Sequence, residues 1–269
     1  MREFNVQDRI TLFARLAAGA MNVAAEPRDT AAVEVVPYDD SNASREAAER
    51  TVVEMRGSAL HVESPEGGWR LRRSGRIRVD VRLPEDSRLV VRVASPDARF
   101  DGRYGDSTVD TASGDVSLDH IAGTLTVKGA SADVRVARVE GQLVVDSASG
   151  DVMLGYAGGE VVVETSSGDI TLERAEGSVR ARSASGDVRL GSVGQGNVQV
   201  STASGDVRVG ITAGTSVWLD LSTASGSTRS DLDHGDAHSP ADGVPDLNLR
   251  VRTASGDIEL RRVPVPASA

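Results

Sequence analysis

One aspartate position recurs down this chain at Asp97, Asp115, Asp133, Asp151, Asp169, Asp187, Asp206 and Asp257. Stacked carboxylates can bind Ca²⁺, a hard ion that takes about six to eight oxygens. Calcium-binding strand repeats supply those oxygens through a Gly-Gly-x-Gly-x-Asp pattern, and that pattern is absent. The expected role is therefore local. Glycine before most of these aspartates supplies a positive φ, and each carboxylate accepts backbone N–H groups within its own turn. Ser113, Ser149, Ser185, Ser204 and Ser255 read as turn residues too, because no nearby histidine could serve them as a base.

A second candidate is the stretch Asp231-Leu232-Asp233-His234-Gly235-Asp236-Ala237-His238-Ser239-Pro240. Imidazole and carboxylate suit Zn²⁺, which makes Asp231, Asp233, His234 and His238 weak metal candidates. Gly235 and Pro240 punctuate the stretch, so a solvated loop is the stronger reading. Neither a metal nor another cofactor is expected. Polysaccharide lyases and hydrolases also use β-solenoids, with carboxylate clusters walled by long loops. Here only residues 228–246 could form a wall. No catalytic residue is assigned, and a carbohydrate-active enzyme is the least favoured reading.

The elements that position these residues are plain in the repeat. Thr111-Ala112-Ser113-Gly114-Asp115-Val116 recurs from Ser147, Thr165, Ser183, Thr202 and Thr253, with degenerate copies around Asp133 and Ser227. The aspartates step by 18 residues up to Asp187, and a 30-residue step separates Ser227 from Asp257. Between them Gly123, Gly141, Gly159, Gly177 and Gly196 keep nearly the same period. Each glycine opens a strand pattern such as Leu143/Val145, and each aspartate opens another such as Val152/Leu154. Apolar residues two apart mark strands. A coil of two short strands cannot bury its apolar side alone, so equivalent strands must stack about 4.8 Å apart. The expectation is an all-β, single-domain, β-helix-like solenoid of about eight 18-residue coils over residues 96–262. Residues 1–95 form an irregular β-rich N-terminal cap, residues 228–246 a surface loop, and 263–269 a proline-containing tail.

In the cap, strands are expected over Ala31–Val36, Thr51–Met55, Leu60–Glu63, Ile77–Leu83 and Leu89–Val93. Ser44 to Arg50 suits a short helix capped by Ser44. Gly19 to Val23 resembles a worn copy of the glycine signature. Ile10 to Ala25 has the length of a signal-peptide core, but Glu3, Asp8 and Arg15 break the rules for one. The alternation Ile10, Leu12, Ala14, Leu16 favours a strand.

The 269 residues carry a net charge of −10, which makes nucleic acid a poor partner. Aromatic content of 3% is too low for base-stacking platforms. There is no cysteine, which excludes disulfides and thiol chemistry. That fits a cytoplasmic location, with the cell envelope or secretion as the alternative. No apolar run is long enough for a transmembrane helix.

The Ser-Gly-Asp-Val repeats, the segment Ile-Arg-Val-Asp-Val-Arg-Leu-Pro at Ile77–Pro84 and the closing Gly-Asp-Ile-Glu-Leu at Gly256–Leu260 resemble a bacterial family. It is the "putative adhesin" family of β-strand-repeat proteins, a domain of unknown function, and the resemblance spans residues 4 to 262. It implies a non-enzymatic scaffold or interaction module and brings no catalytic residues. The expected partner is a protein, with a glycan second. The alternative is a self-assembling structural protein. If the position six before each aspartate points inward, Asp110, Lys128, Asp146, Glu164 and Arg182 form an outward column. Glu164 and Arg182 should then pair. Beside them Val144 and Val162, with Arg180 and Arg182, form a candidate contact patch.

Overall fold

The computed structural model describes residues 1–6, 8–65, 75–232 and 245–265. The described residues are all-β apart from one helix, and the chain divides into two compact units, Met1–Ala137 and Arg138–Ala269.

In the second unit, strands that follow the glycine signature form one parallel sheet, here called the glycine-side sheet. Leu143–Ser149, Val161–Ser167, Val179–Ser185 and Gly196–Ser204 stack in that order. Strands that follow the aspartates form the aspartate-side sheet: Val152–Ala157, Ile170–Ala175, Val188–Val193 and Val207–Thr212. The pairing aligns Val145, Val163, Ala181 and Val200 in one column, and all four are at most 2% exposed. This is the inward column expected from the period of two. Glu164 and Arg182 lie outward and pair at 3.1 Å, worth at most about 1 kcal/mol on an exposed face.

The layers do not follow chain order to the end. Leu247–Ser255 and Ile258–Val263 stack directly on Gly196–Ser204 and Val207–Thr212. Val217–Ser225 and Thr228–Ser230 then pair on the far side of those C-terminal strands. The expected loop over 228–246 therefore starts as a strand, and the 30-residue step lets the chain move out one layer and return. The first unit repeats this device. Thr11–Leu16 lies between Arg88–Val93 and Ala59–Glu63. Gly19–Glu26 lies between Asp97–Tyr104 and Ile77–Pro84. Residues 10–25 are thus core strands, with Ile10, Leu12, Leu16, Met21 and Val23 at most 3% exposed.

The first unit continues in parallel through Ser107–Thr111 and Leu125–Ser131 on the glycine side, and Val116–Ile121 on the aspartate side. Antiparallel strands close its other flank: Thr30–Pro37 on Ile77–Pro84, Arg2–Asn5 on Thr30–Pro37, and Val52–Arg56 on Ala59–Glu63.

Two local expectations are corrected. Gly19 belongs to the aspartate-side series, since Met21 and Val23 stack on Ala98 and Phe100. It therefore matches the glycine of the Ser-Gly-Asp corner, not the glycine signature. The helix runs Asn42–Arg50 and is capped by Ser41, whose Oγ accepts the Ser44 N–H at 3.1 Å. Ser44 sits inside the helix at 1% exposure, where its Oγ accepts the Arg76 N–H at 3.0 Å.

Buried hydroxyls close several of the corners. Thr111 Oγ1 donates to the Gly114 carbonyl at 2.9 Å, and Thr202 Oγ1 reaches the carbonyls of Gly186 and Ser204, both at 3.3 Å. Thr165 occupies the same column, 8% exposed, with no hydrogen-bond partner for its Oγ1. A buried hydroxyl without a partner costs about 1–3 kcal/mol. Thr165→Val is expected to leave stability unchanged or raise it by about 1 kcal/mol, whereas Thr202→Val loses about 1 kcal/mol. Urea unfolding of the two variants side by side checks the contrast.

Candidate functional site

The aspartates do not serve their own turns. Within each unit, carboxylates reach along the stack to the N–H of the next layer's corner. The N–H of Asp115 donates to Asp97 Oδ1 and that of Asp133 to Asp115 Oδ1, both at 3.2 Å. In the second unit the N–H of Asp169 donates to Asp151 at 2.9 Å, Asp187 to Asp169 and Asp206 to Asp187 at 2.8 Å, and Asp257 to Asp206 at 2.9 Å. The outermost layer ends the ladder with Ser227, whose N–H and Oγ both donate to Asp257 Oδ1. Those two bonds hold the Asp257 carboxyl below the usual carboxylate range. Stacked like charges repel, and arginines offset them. Arg135 contacts Asp133 and Asp115, while Arg208 contacts Asp206 and Asp187. The ladder occupies carboxylate oxygens with protein donors, so it reads as a structural ruler along the stack.

Of the loop candidates, Asp231 is exposed, and Asp233, His234 and His238 lie outside the described residues. Among the described residues no group of three or more histidine, aspartate or glutamate side chains is placed to hold a metal ion. In the second unit Val144, Val162 and Arg180 stack in register on the outer face of the glycine-side sheet, with Arg182 beside them. The two valines are only half-buried, and Arg182 is engaged by Glu164.

A more concave surface lies on the glycine-side sheet of the first unit. Parallel pairing places Glu63, Arg15, Arg92, Asp110 and Lys128 side by side on successive strands. Three cations and two acids make this row locally positive in an acidic chain. Two residues further along the strands sit Ala17, Ala94, Ala112 and Ala130. Long charged side chains beside a floor of alanines leave a groove of about 680 Å³. Arg92 Nε and Asp110 pair across it at 3.3 Å.

Two residues the other way, Phe13 stacks on His61 with ring centroids 5.0 Å apart and planes 9° from parallel. Phe13 is 36% exposed. With Val90, Arg15 and Arg92 this pair lines a second hollow of about 290 Å³ that shares both arginines with the groove. The sequence held one clue to this site. Phe13 takes an outward position in Thr11–Leu16, and the chain has only three phenylalanines. His61 and Arg92 join it only through strand pairing.

Among the described residues no helix is long and apolar enough to cross a membrane. The comparisons lend no support to the cytoplasmic location that composition suggests. No curated protein matches the chain. Solved structures share its architecture at low identity. A protein of Parabacteroides distasonis described as a "putative lipid binding protein" aligns at 12% identity and a TM-score of 0.57, covering 97% of this chain and 95% of that one. A "putative adhesin" of Bacteroides fragilis aligns at 12% identity and a TM-score of 0.47 over the same shares. A "putative adhesin" of Parabacteroides distasonis aligns at 11% identity and 0.43, covering 96% and 95%. None of the three is described as an enzyme. Residues 16–261, which hold the stacked corners and most of the paired strands, match the family described as Toastrack DUF4097, and the chain belongs to that family.

Proposed function

We propose that the protein is a non-catalytic binding scaffold that holds a protein partner against the outer face of its glycine-side sheet. The observation that carries this reading is the groove of about 680 Å³ in the first unit, with Arg15, Arg92 and Lys128 on three of four successive strands beside an alanine floor. Backbone ladders fix the spacing of Arg15, Arg92 and Lys128, so the charges are preorganised and little entropy is lost on binding. A cationic row in an acidic chain selects an acidic segment and steers its approach. The adjoining Phe13–His61 pair adds an aromatic anchor of the kind that dominates binding energy.

The test uses the full chain as bait in extracts of its native host, beside the double variant Phe13→Ser/Arg92→Glu. Both positions face outward, so the variant should melt within about 3 °C of the parent. A stoichiometric protein retained by the parent and at least about tenfold weaker on the variant is expected, a loss of about 1.4 kcal/mol or more. Equal retention by both proteins would remove the groove from the function. A second reading rests on the same stacked pair, whose flat apolar face suits a sugar ring. A glycan array probed with parent and variant separates it from the protein reading.

A further inference from the structure

We infer that Val217–Ser225 and Thr228–Ser230 form a self-association edge, on which a second copy of this chain docks through the same edge. Four observations lead there. Among the described residues, Val217–Ser225 is hydrogen-bonded along one side only, to Leu247–Ser255, and Thr228–Ser230 likewise pairs only with Ile258–Val263. Both strands therefore present unmet N–H and C=O groups, which template further pairing.

The inward column also ends uncovered. Leu219 is in register with Leu249, which is fully buried, yet Leu219 itself is 37% exposed. Beside it Trp218 is 47% exposed, its ring 6.0 Å from the Arg250 guanidinium.

Natural sheet edges are usually blunted by lysine, proline or an inward charge. Val217–Ser225 holds none of these. Its one charged residue, Asp220, is drawn back by Arg250 at 2.8 Å and Arg252 at 3.6 Å. Val217–Ser225 is thus nearly neutral and meets its own copy without repulsion, and Arg229 is the one charged residue on the short strand Thr228–Ser230.

The fourth observation selects the occupant. Among the described strands, the other outermost ones are Arg2–Asn5 and Val52–Arg56. Both are short antiparallel additions carrying charge of both signs, through Arg2 and Glu3, and Glu54 and Arg56. They offer no continuation of the parallel ladder, so a head-to-tail fibre is not available. The same-edge contact is isologous, pairs the strands antiparallel about a two-fold axis and closes at two copies. The dimer continues both ladders and covers Leu219.

Light scattering after size exclusion on the full chain tests this, across concentrations from about 1 to 200 μM. A dimer mass is expected for the parent, with at least a tenfold rise in dissociation constant for Trp218→Lys, which adds a gatekeeper charge outside the core. Leu219→Lys should act in the same direction, and circular dichroism identifies any variant that has not folded. The chain has no cysteine, so single cysteines placed in turn at positions 219 to 223 report on geometry. A disulfide between identical positions in at least one variant is expected. A parent that stays monomeric throughout, assemblies growing past two copies, or a dimer unchanged by Trp218→Lys would each overturn the inference.

Discussion

Val152→Asp abolishes cooperative folding of the unit spanning residues 138–269, whereas Thr126→Asp leaves its own unit melting within about 2 °C of the parent. Val152 is 1% exposed and stacks on Ile170, itself 2% exposed. A carboxylate there enters a buried apolar column that continues through Ile170 and Val188. Burying an unpaired charge costs more than about 4–5 kcal/mol, which approaches the entire stability of an ordinary domain, about 5–15 kcal/mol. Layers in a stack are held chiefly by their nearest neighbours. One swollen layer therefore also weakens the contact that the next layer needs. Thr126 alternates to the opposite side of its strand, half-buried, in register with Thr108 and two residues from Lys128. A carboxylate there stays hydrated and gains a cation, so the change should lie within about 0.5 kcal/mol. Urea titrations followed by circular dichroism distinguish the two. Equal tolerance at both positions would contradict the inward and outward assignment on which the whole stack depends.

That assignment was legible from spacing alone, because side chains in a strand alternate and any slip by one residue turns an apolar set to solvent. For the same reason the expected strands from Ala31–Val36 to Leu89–Val93 match the observed Thr30–Pro37, Val52–Arg56, Ala59–Glu63, Ile77–Pro84 and Arg88–Val93 to within a residue or two at each end. The order of the layers was not legible. Repetition reveals the coil, but any Ser-Gly-Asp corner fits any other. Nothing local to Leu247–Ser255 says that it will slip beneath Val217–Ser225. Gly19 fits the glycine signature in the sequence because both corner types place a glycine two residues before an apolar pair, and only the stacked neighbour tells them apart. The aspartates show a similar limit. A period of 18 is compatible with a carboxylate turned to its own corner or to the next, and the choice depends on the distance between layers. The groove was hidden for a further reason. Arg15, Arg92 and Lys128 are far apart in sequence, and strand pairing alone makes them one row.

Gly186→Ala should cost about 3 kcal/mol or more, a loss well beyond the usual price of a glycine turn. Gly186 has φ +150°, and a Cβ built on it would lie 2.1 Å from the Gly168 carbonyl oxygen and 2.7 Å from its carbon. Backbone cannot yield as a flexible side chain can. The same approach recurs in the next layer, where a Cβ on Gly205 would meet the Gly186 oxygen at 2.1 Å. Alanine at 186 must therefore either flip its turn or separate two layers whose corners are tied by the aspartate ladder. The chain itself shows that flipping is sometimes open. Ala132 fills the corresponding corner before Asp133, and it is absent from the residues with positive φ. At Gly186 both flanking corners, Gly168 at φ +147° and Gly205 at φ +151°, keep the left-handed form, so a flipped turn would lose its stacking partners. Gly214 supplies the control, since it too has positive φ, +83°, but a Cβ there meets nothing within 4 Å. Gly214→Ala should cost only about 1 kcal/mol, the conformational preference alone. Thermal and urea unfolding of the pair separates the two contributions. A large gap assigns the glycine column to the close approach of layers. Equal costs near 1 kcal/mol would mean that the column is kept for turn conformation only, and that the layers can part by about an ångström without breaking the ladder that joins them.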